Sequence, residues 1–130
     1  MFLTPRMGVP IDMGFERPPE GVSLRLHLNS GQSLITGLPR EMPFFTDGDL
    51  RLRSVQRKAV SPDAKYTPIY TVRSADGTDY GDAACYAEFT RGEFKGARIL
   101  YVWSRLVADP QLGPPIIGQV VRWVLAEAQK

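Results

Sequence analysis

The sequence predicts a mainly β domain with one C-terminal α-helix, an α+β arrangement in which a small antiparallel sheet or open barrel of about five to seven strands carries the helix packed on it. Three observations lead there. Residues 22–28, Val-Ser-Leu-Arg-Leu-His-Leu, alternate apolar and polar without a break, the period of a half-buried strand. Asp76-Gly77 sits between two runs rich in β-branched and aromatic residues, a strong hairpin signal. After Gly113-Pro114-Pro115 the apolar period changes from two to that of a helix. No βαβ alternation is present, so a nucleotide-binding parallel sheet is not expected.

Before the first strand comes an arm. Residues 1–19 hold three of the four methionines and the apolar residues Phe2, Leu3, Met7, Val9, Ile11, Met13 and Phe15, punctuated by Pro5, Pro10, Pro18 and Pro19. Proline fixes φ and lacks an amide donor, so a chain broken this often is held extended and builds neither a helix nor a central strand. The sequence therefore divides into this Pro/Met-rich arm and a single β-rich domain over 20–130 that ends in a helix over 115–129.

The first strand places Val22, Leu24, Leu26 and Leu28 on the core side, with Arg25 and His27 opposite. Asn29-Ser30-Gly31-Gln32 reads as a turn and residues 33–38 as its hairpin partner, ended by Gly37 and Pro39. Residues 39–48 read as a loop in which Phe44 or Phe45 caps the end of the sheet. Residues 50–60 read as a further strand. Ser61-Pro62-Asp63-Ala64 has turn chemistry, residues 66–73 are strand-like, and the chain returns along 78–89 after the Asp-Gly turn. Residues 95–106 contain Ile99-Leu100-Tyr101-Val102-Trp103, apolar on both faces, which predicts a central strand covered on both sides.

In the helix, Ile116, Ile117, Val120, Val121, Val124, Leu125 and Ala128 recur at helical spacing, and Pro115 suits a first-turn position. Five large aliphatics buried at roughly 2 kcal/mol each would give about 10 kcal/mol of gross transfer energy. An isolated helix this short is marginal, so packing on the sheet must supply its stability.

Charge is nearly balanced at a formal +2, which gives little bulk attraction to nucleic acid or anionic membranes. Its distribution is uneven. Residues 51–73 hold six basic side chains against Asp63, and residues 74–93 hold five acidic ones against Arg91. Paired as strands these segments neutralise one another; unpaired, they can dock between molecules.

Chemistry-bearing residues are few. His27 is the only histidine and Cys85 the only cysteine, so two-histidine metal sites and an internal disulfide are both excluded. Alternation puts Cys85 with Ala83, Ala87 and Phe89 on an apolar face, the setting of an inert thiol. Pairing it with His27 would need a shared face, against the strand readings. The acidic stretches around Asp47-Gly48-Asp49 and 76–82 lack the ligand spacing of an EF-hand, and no phosphate loop, dinucleotide fingerprint or nucleophile elbow occurs. No catalytic, cofactor or metal residue is assigned.

The function expected is a non-catalytic protein-interaction or assembly module, of the accessory, inhibitory or viral structural kind, which docks on a protein partner or its own copies through the arm and the charged strands. The alternative is a small barrel that binds single-stranded nucleic acid along Arg51, Arg53, Arg57 and Lys58, the first two about 6.8 Å apart on one strand face and the third about 14 Å further. A small enzyme built on Cys85 and His27 ranks third. The absence of paired cysteines, a signal-like start and a long apolar run predicts a cytoplasmic protein, or one carried in a virion, with no membrane partner.

Overall fold

The computed structural model describes residues 21–29, 39–44 and 54–129. Within them the chain forms β1 (Leu24–Leu28), β2 (Glu41–Phe44), a 3-10 turn (Arg57–Ala59), β3 (Ala64–Ser74), β4 (Asp79–Phe89), β5 (Arg98–Val102), α1 (Ser104–Ala108) and α2 (Gly113–Ala128). The five strands are all antiparallel, in the order β2-β1-β3-β4-β5, and curl into a half-barrel that carries the C-terminal helix. The expected fold class is the observed one.

β1 forms because its alternation gives it one apolar side. Leu24 and Leu26 are buried while Arg25 is exposed. On this side β1 pairs with β2, Leu24 with Phe44 and His27 with Glu41; residues 33–38, expected as a strand, lie outside the described residues. Residues 41–44, read from sequence as loop, make an edge strand among the described residues, where Pro43 is tolerated because one side of such a strand needs no amide donor. Phe44 is buried and meets Trp103 with ring centroids 5.1 Å apart, so it does close the core at this end of the sheet.

β3 and β4 form the long central hairpin. The turn between them is closed by the Gly77 amide to the Ser74 carbonyl at 3.0 Å, with Gly77 at φ 87°. Asp76 accepts the Thr78 amide at 3.0 Å and the Ser74 hydroxyl. Those bonds, led by Ser74, hold its carboxyl at about 2. The preceding turn is closed by the Ala64 amide to the Ser61 carbonyl at 3.1 Å. Pro68 stands within β3, but beyond the end of β1, whose last partner is Tyr70; among the described strands, β4 alone is alongside at the missing amide.

Register shifts interrupt the β3/β4 ladder between Pro68 and Arg73. Bulges of this kind insert a residue and turn side chains to the other face. Ala83 and Ala84 consequently both join the core beneath the helices, and Cys85 and Ala87 pack on the opposite face with Val55. The strict alternation that grouped Cys85 with Ala83 does not hold across this point.

Among the described residues β5 is an edge strand and not a central one. It is nevertheless covered on both sides, as its composition requires: Leu100 and Val102 pack with the helix-side core, Ile99 with Val55 and Cys85. The strand ends at Val102, and Trp103 leads into the short helix α1, a turn of helix that the reading of 95–106 as strand did not anticipate. Leu106 of α1 and Leu112 and Ile116 around the start of α2 are buried against the sheet. Asp109 fixes this corner, its carboxylate accepting the Gln111 and Leu112 amides at 2.8 and 2.9 Å.

Candidate interaction surface

On the face of the sheet away from the helices, residues 54–60 lie over β3 and β4. Val55 makes an isolated bridge with Asp82, their backbones exchanging hydrogen bonds at 2.8 and 3.1 Å. The chain then turns through Arg57–Ala59. The described part of 50–60 is thus a single bridge and a turn, not the continuous strand its composition suggested. The reason lies in Arg57, which folds inward to the Asp82 carboxylate, with Nε donating to Oδ2 at 2.9 Å and Nη2 to Oδ1 at 2.6 Å. Nη1 donates to Asp79 at 2.7 Å.

Asp82 is completely buried and fully partnered. Thr71 donates to its Oδ1 at 2.7 Å and the Tyr66 hydroxyl to its Oδ2. Asn29 joins from just beyond β1, its side-chain amide donating to Thr71 Oγ1 at 3.0 Å and to the Ile69 carbonyl at 3.1 Å. A buried charge is tolerated only when so surrounded. The electrostatics follow: hydrogen bonding to Asp82 raises the Arg57 pKa above its ordinary value, and burial raises that of the Tyr66 hydroxyl. Burial also pushes the Cys85 thiol up to about 12, the opposite of what activates a nucleophile.

The opposite charges of 51–73 and 74–93 meet within the chain. Arg57 pairs with Asp79 and Asp82, and Arg91 with Asp63 at 2.8 Å. Across the hairpin, Arg73 stands in register with Asp79 and Lys65 with Glu88. Of the residues expected to meet nucleic acid or an acidic partner, Arg57 is thus engaged by its own carboxylates, Lys58 is exposed, and Arg51 and Arg53 lie outside the described residues. So do the arm residues Phe2, Leu3, Met7, Val9, Ile11, Met13 and Phe15. His27 is half-buried on β1, bonded through Nδ1 to the Glu41 carboxylate, an interaction that lowers the Glu41 pKa.

A different surface is built by α2. At 100° per residue, Ile116, Val120, Trp123 and Glu127 fall within about 60° of arc, and Ile117, Val121, Val124 and Leu125 on an adjoining arc of about 100°. The first stripe meets the sheet. Ile116 is buried, Val120 packs on the core, Trp123 stands edge-on to Tyr86 at 5.9 Å, and Glu127 pairs with Arg98. The second stripe does not. Ile117, Val121, Val124 and Leu125 retain 49, 51, 50 and 58% of their surface, and Val107 of α1 is exposed at 39%. The expectation that five large aliphatics of this helix are buried is corrected here: four of them stay half-exposed. The sheet is narrow enough to cover one stripe, and the helix carries two.

That excess was visible in the sequence. A helix seated on one surface needs an apolar stripe of roughly 100°, and the two stripes of α2 together span about 200°.

One cleft of about 210 Å³ lies between β1, β2 and the helical corner, lined by Leu26, Phe44, Arg105, Leu106 and Leu112 among others. It falls below the roughly 300 Å³ at which small-molecule sites begin. Among the described residues no three His, Cys, Asp or Glu side chains stand close enough to hold a metal ion, and no helix is long and apolar enough to cross a membrane. Comparison with protein-family models, with curated proteins and with solved structures gives no match.

Proposed function

We propose that this chain is a protein-interaction or assembly module whose docking surface is the second apolar stripe of α2. The observation that carries the reading is the half-exposure of Ile117, Val121, Val124 and Leu125 on a helix whose other stripe is already packed. Together the four leave on the order of 300 Å² of apolar surface open on one face of the helix, within the range at which a patch on a single domain is commonly functional. Contacts by the charged strands receive less support, because Arg57, Asp79 and Asp82 satisfy one another inside the molecule.

The test is the size of the native complex. In the cells that express it, the tagged full chain is expected to elute well above its own 14.5 kDa, and Val121→Glu with Leu125→Glu to elute as a monomer with unchanged melting. Elution of the unsubstituted chain at 14.5 kDa in those cells would overturn the reading.

A further inference from the structure

We infer that the open stripe of α2 and the outer edge of β5 form one self-complementary surface for a second copy of this chain, with β5 pairing antiparallel to β5 and α2 lying alongside α2. The inference rests on the reading of that stripe as a docking surface, and it names the partner.

The two features lie on the same side of the molecule. Trp123 stands against Tyr86 on β4, and Glu127 reaches Arg98 on β5. From Trp123 to Glu127 is a turn of about 40° round the helix; about 60° further in the same sense comes Val124, followed by Ile117, Val121 and Leu125. The stripe therefore looks outward past β5 and not back toward β1.

The edge beside it is unguarded. The Phe89 amide bonds to the Ala97 carbonyl at 2.9 Å and the Trp103 amide to the Ala83 carbonyl at 2.8 Å, which fixes the phase of the β4/β5 ladder. Ile99 and Tyr101 turn their backbone groups toward β4, and Arg98, Leu100 and Val102 turn theirs outward. Among the described residues no strand lies beyond them. Edge strands are commonly protected by proline, a bulge or outward charges. β2, the other described edge, carries Pro43 and the exposed Glu41. β5 reads Arg-Ile-Leu-Tyr-Val in unbroken register with β4, and its one charge is already held by Glu88 and Glu127.

Symmetry and size select the occupant. A two-fold axis through Leu100 sets it against the second copy's Leu100 and sets Arg98 against that copy's Val102, with about six backbone hydrogen bonds. Strands about 4.8 Å apart put β5 about 2.4 Å from this axis and β4 about 7 Å from it. α2 leans from β4 to β5, so it runs about 5 Å from the axis and about 10 Å from its symmetry mate, the spacing of packed helices. The stripes alone would bury on the order of 600 Å² between two copies, half of the roughly 1,200 Å² of a stable specific interface; the paired edges bring the total to roughly that figure. An unrelated partner would need both a strand edge and an apolar helix at this offset, and a second copy supplies them by symmetry.

The experiment uses the purified full chain with no other protein present. An interface at the lower size limit dissociates in the micromolar range. Light scattering at about 100 µM is expected to give twice 14.5 kDa, falling toward 14.5 kDa on dilution to about 1 µM. Val121→Glu with Leu125→Glu is expected to stay monomeric throughout, and to melt as the unsubstituted chain does once that chain is diluted to monomer. Hydrogen exchange reads the strand: at about 100 µM the Leu100 and Val102 amides should exchange threefold or more slower in the unsubstituted chain than in the variant. A monomer at every concentration would overturn the second copy as occupant, and a heavy native complex would then leave the interaction reading standing. A dimer that survives the two glutamates, or one whose Leu100 and Val102 amides exchange at the variant's rate, would overturn the seat.

Discussion

Arg57 and Asp82 form a two-pronged ion pair, Nε to Oδ2 at 2.9 Å and Nη2 to Oδ1 at 2.6 Å, in which the carboxylate is wholly buried and the guanidinium reaches it from the surface. The pair is what pins residues 54–60 to the outer face of the sheet. Neutralising Asp82 leaves the Arg57 charge half-compensated by Asp79 and the hydroxyls of Tyr66 and Thr71 short of an acceptor. Asp82→Asn is expected to lose about 2–4 kcal/mol of stability in urea unfolding. A double-mutant cycle with Arg57→Ala should show a coupling of about 1–3 kcal/mol. A cycle that closes at zero would mean that the pair is incidental.

Stability should fall in alkali from a defined onset. Burial raises the Cys85 thiol from 9.0 to about 12 and the Tyr70 hydroxyl from 10.0 to about 12. Each group is protonated in the folded state and ionises first in the unfolded chain. The stabilisation is therefore complete below the unfolded value and is lost as pH rises toward the folded one. Cys85 acts alone between pH 9 and 10, with a slope approaching about 1.4 kcal/mol per pH unit. Cys85→Ala should flatten that interval in melts taken at stepped pH; an unchanged slope would place the thiol in contact with solvent.

Gly81 should accept no side chain. It lies at φ 90°, and a Cβ there would stand 2.6 Å from the Val55 carbonyl and 2.9 Å from Ser54 Oγ. The close approach lets the 54–60 segment sit down on β4. Gly81→Ala is expected to destabilise by about 1–3 kcal/mol, whereas Gly77→Ala, with the same sign of φ and nothing within 4 Å, should lose less. Thermal melts of the two variants give the comparison.

The two stripes of α2 should respond differently to truncation. Ile116→Ala removes side-chain volume from the core and is expected to lose about 2–4 kcal/mol. Val121→Ala removes atoms already half in solvent and should change the stability of the folded domain by about 0.5 kcal/mol or less. Equal losses at the two positions, measured by urea unfolding, would show that both stripes are packed in the isolated chain.

Much of the sheet could be read from local pattern. β1 shows itself through unbroken alternation, the β3/β4 hairpin through Asp76-Gly77, and α2 through its change of period, because in each case the signal is contained within a few adjacent residues. β2 was missed because Pro43 reads as a strand breaker unless the strand is known to lie at an edge. The 54–60 segment was misread because its conformation is set by a carboxylate 25 residues away, and no local propensity reports that. The face assigned to Cys85 depended on bulges between Pro68 and Arg73, which shift register without a glycine or proline at each step to announce them. Of the interaction surface, the second stripe was written in the helix as an excess of apolar arc; what hid it was the assumption that every apolar residue on a helix faces the same neighbour.

A chain with one cysteine cannot staple a distant loop covalently, and here the Arg57–Asp82 clasp takes over that duty. It ties two points 25 residues apart and so removes loop freedom from the closed state much as a crosslink would. Unlike a disulfide, it needs no oxidising compartment to form and no reductant to open. Held by side chains and one backbone bridge, the amides of the strap over β4 should exchange with solvent ahead of those in the central hairpin.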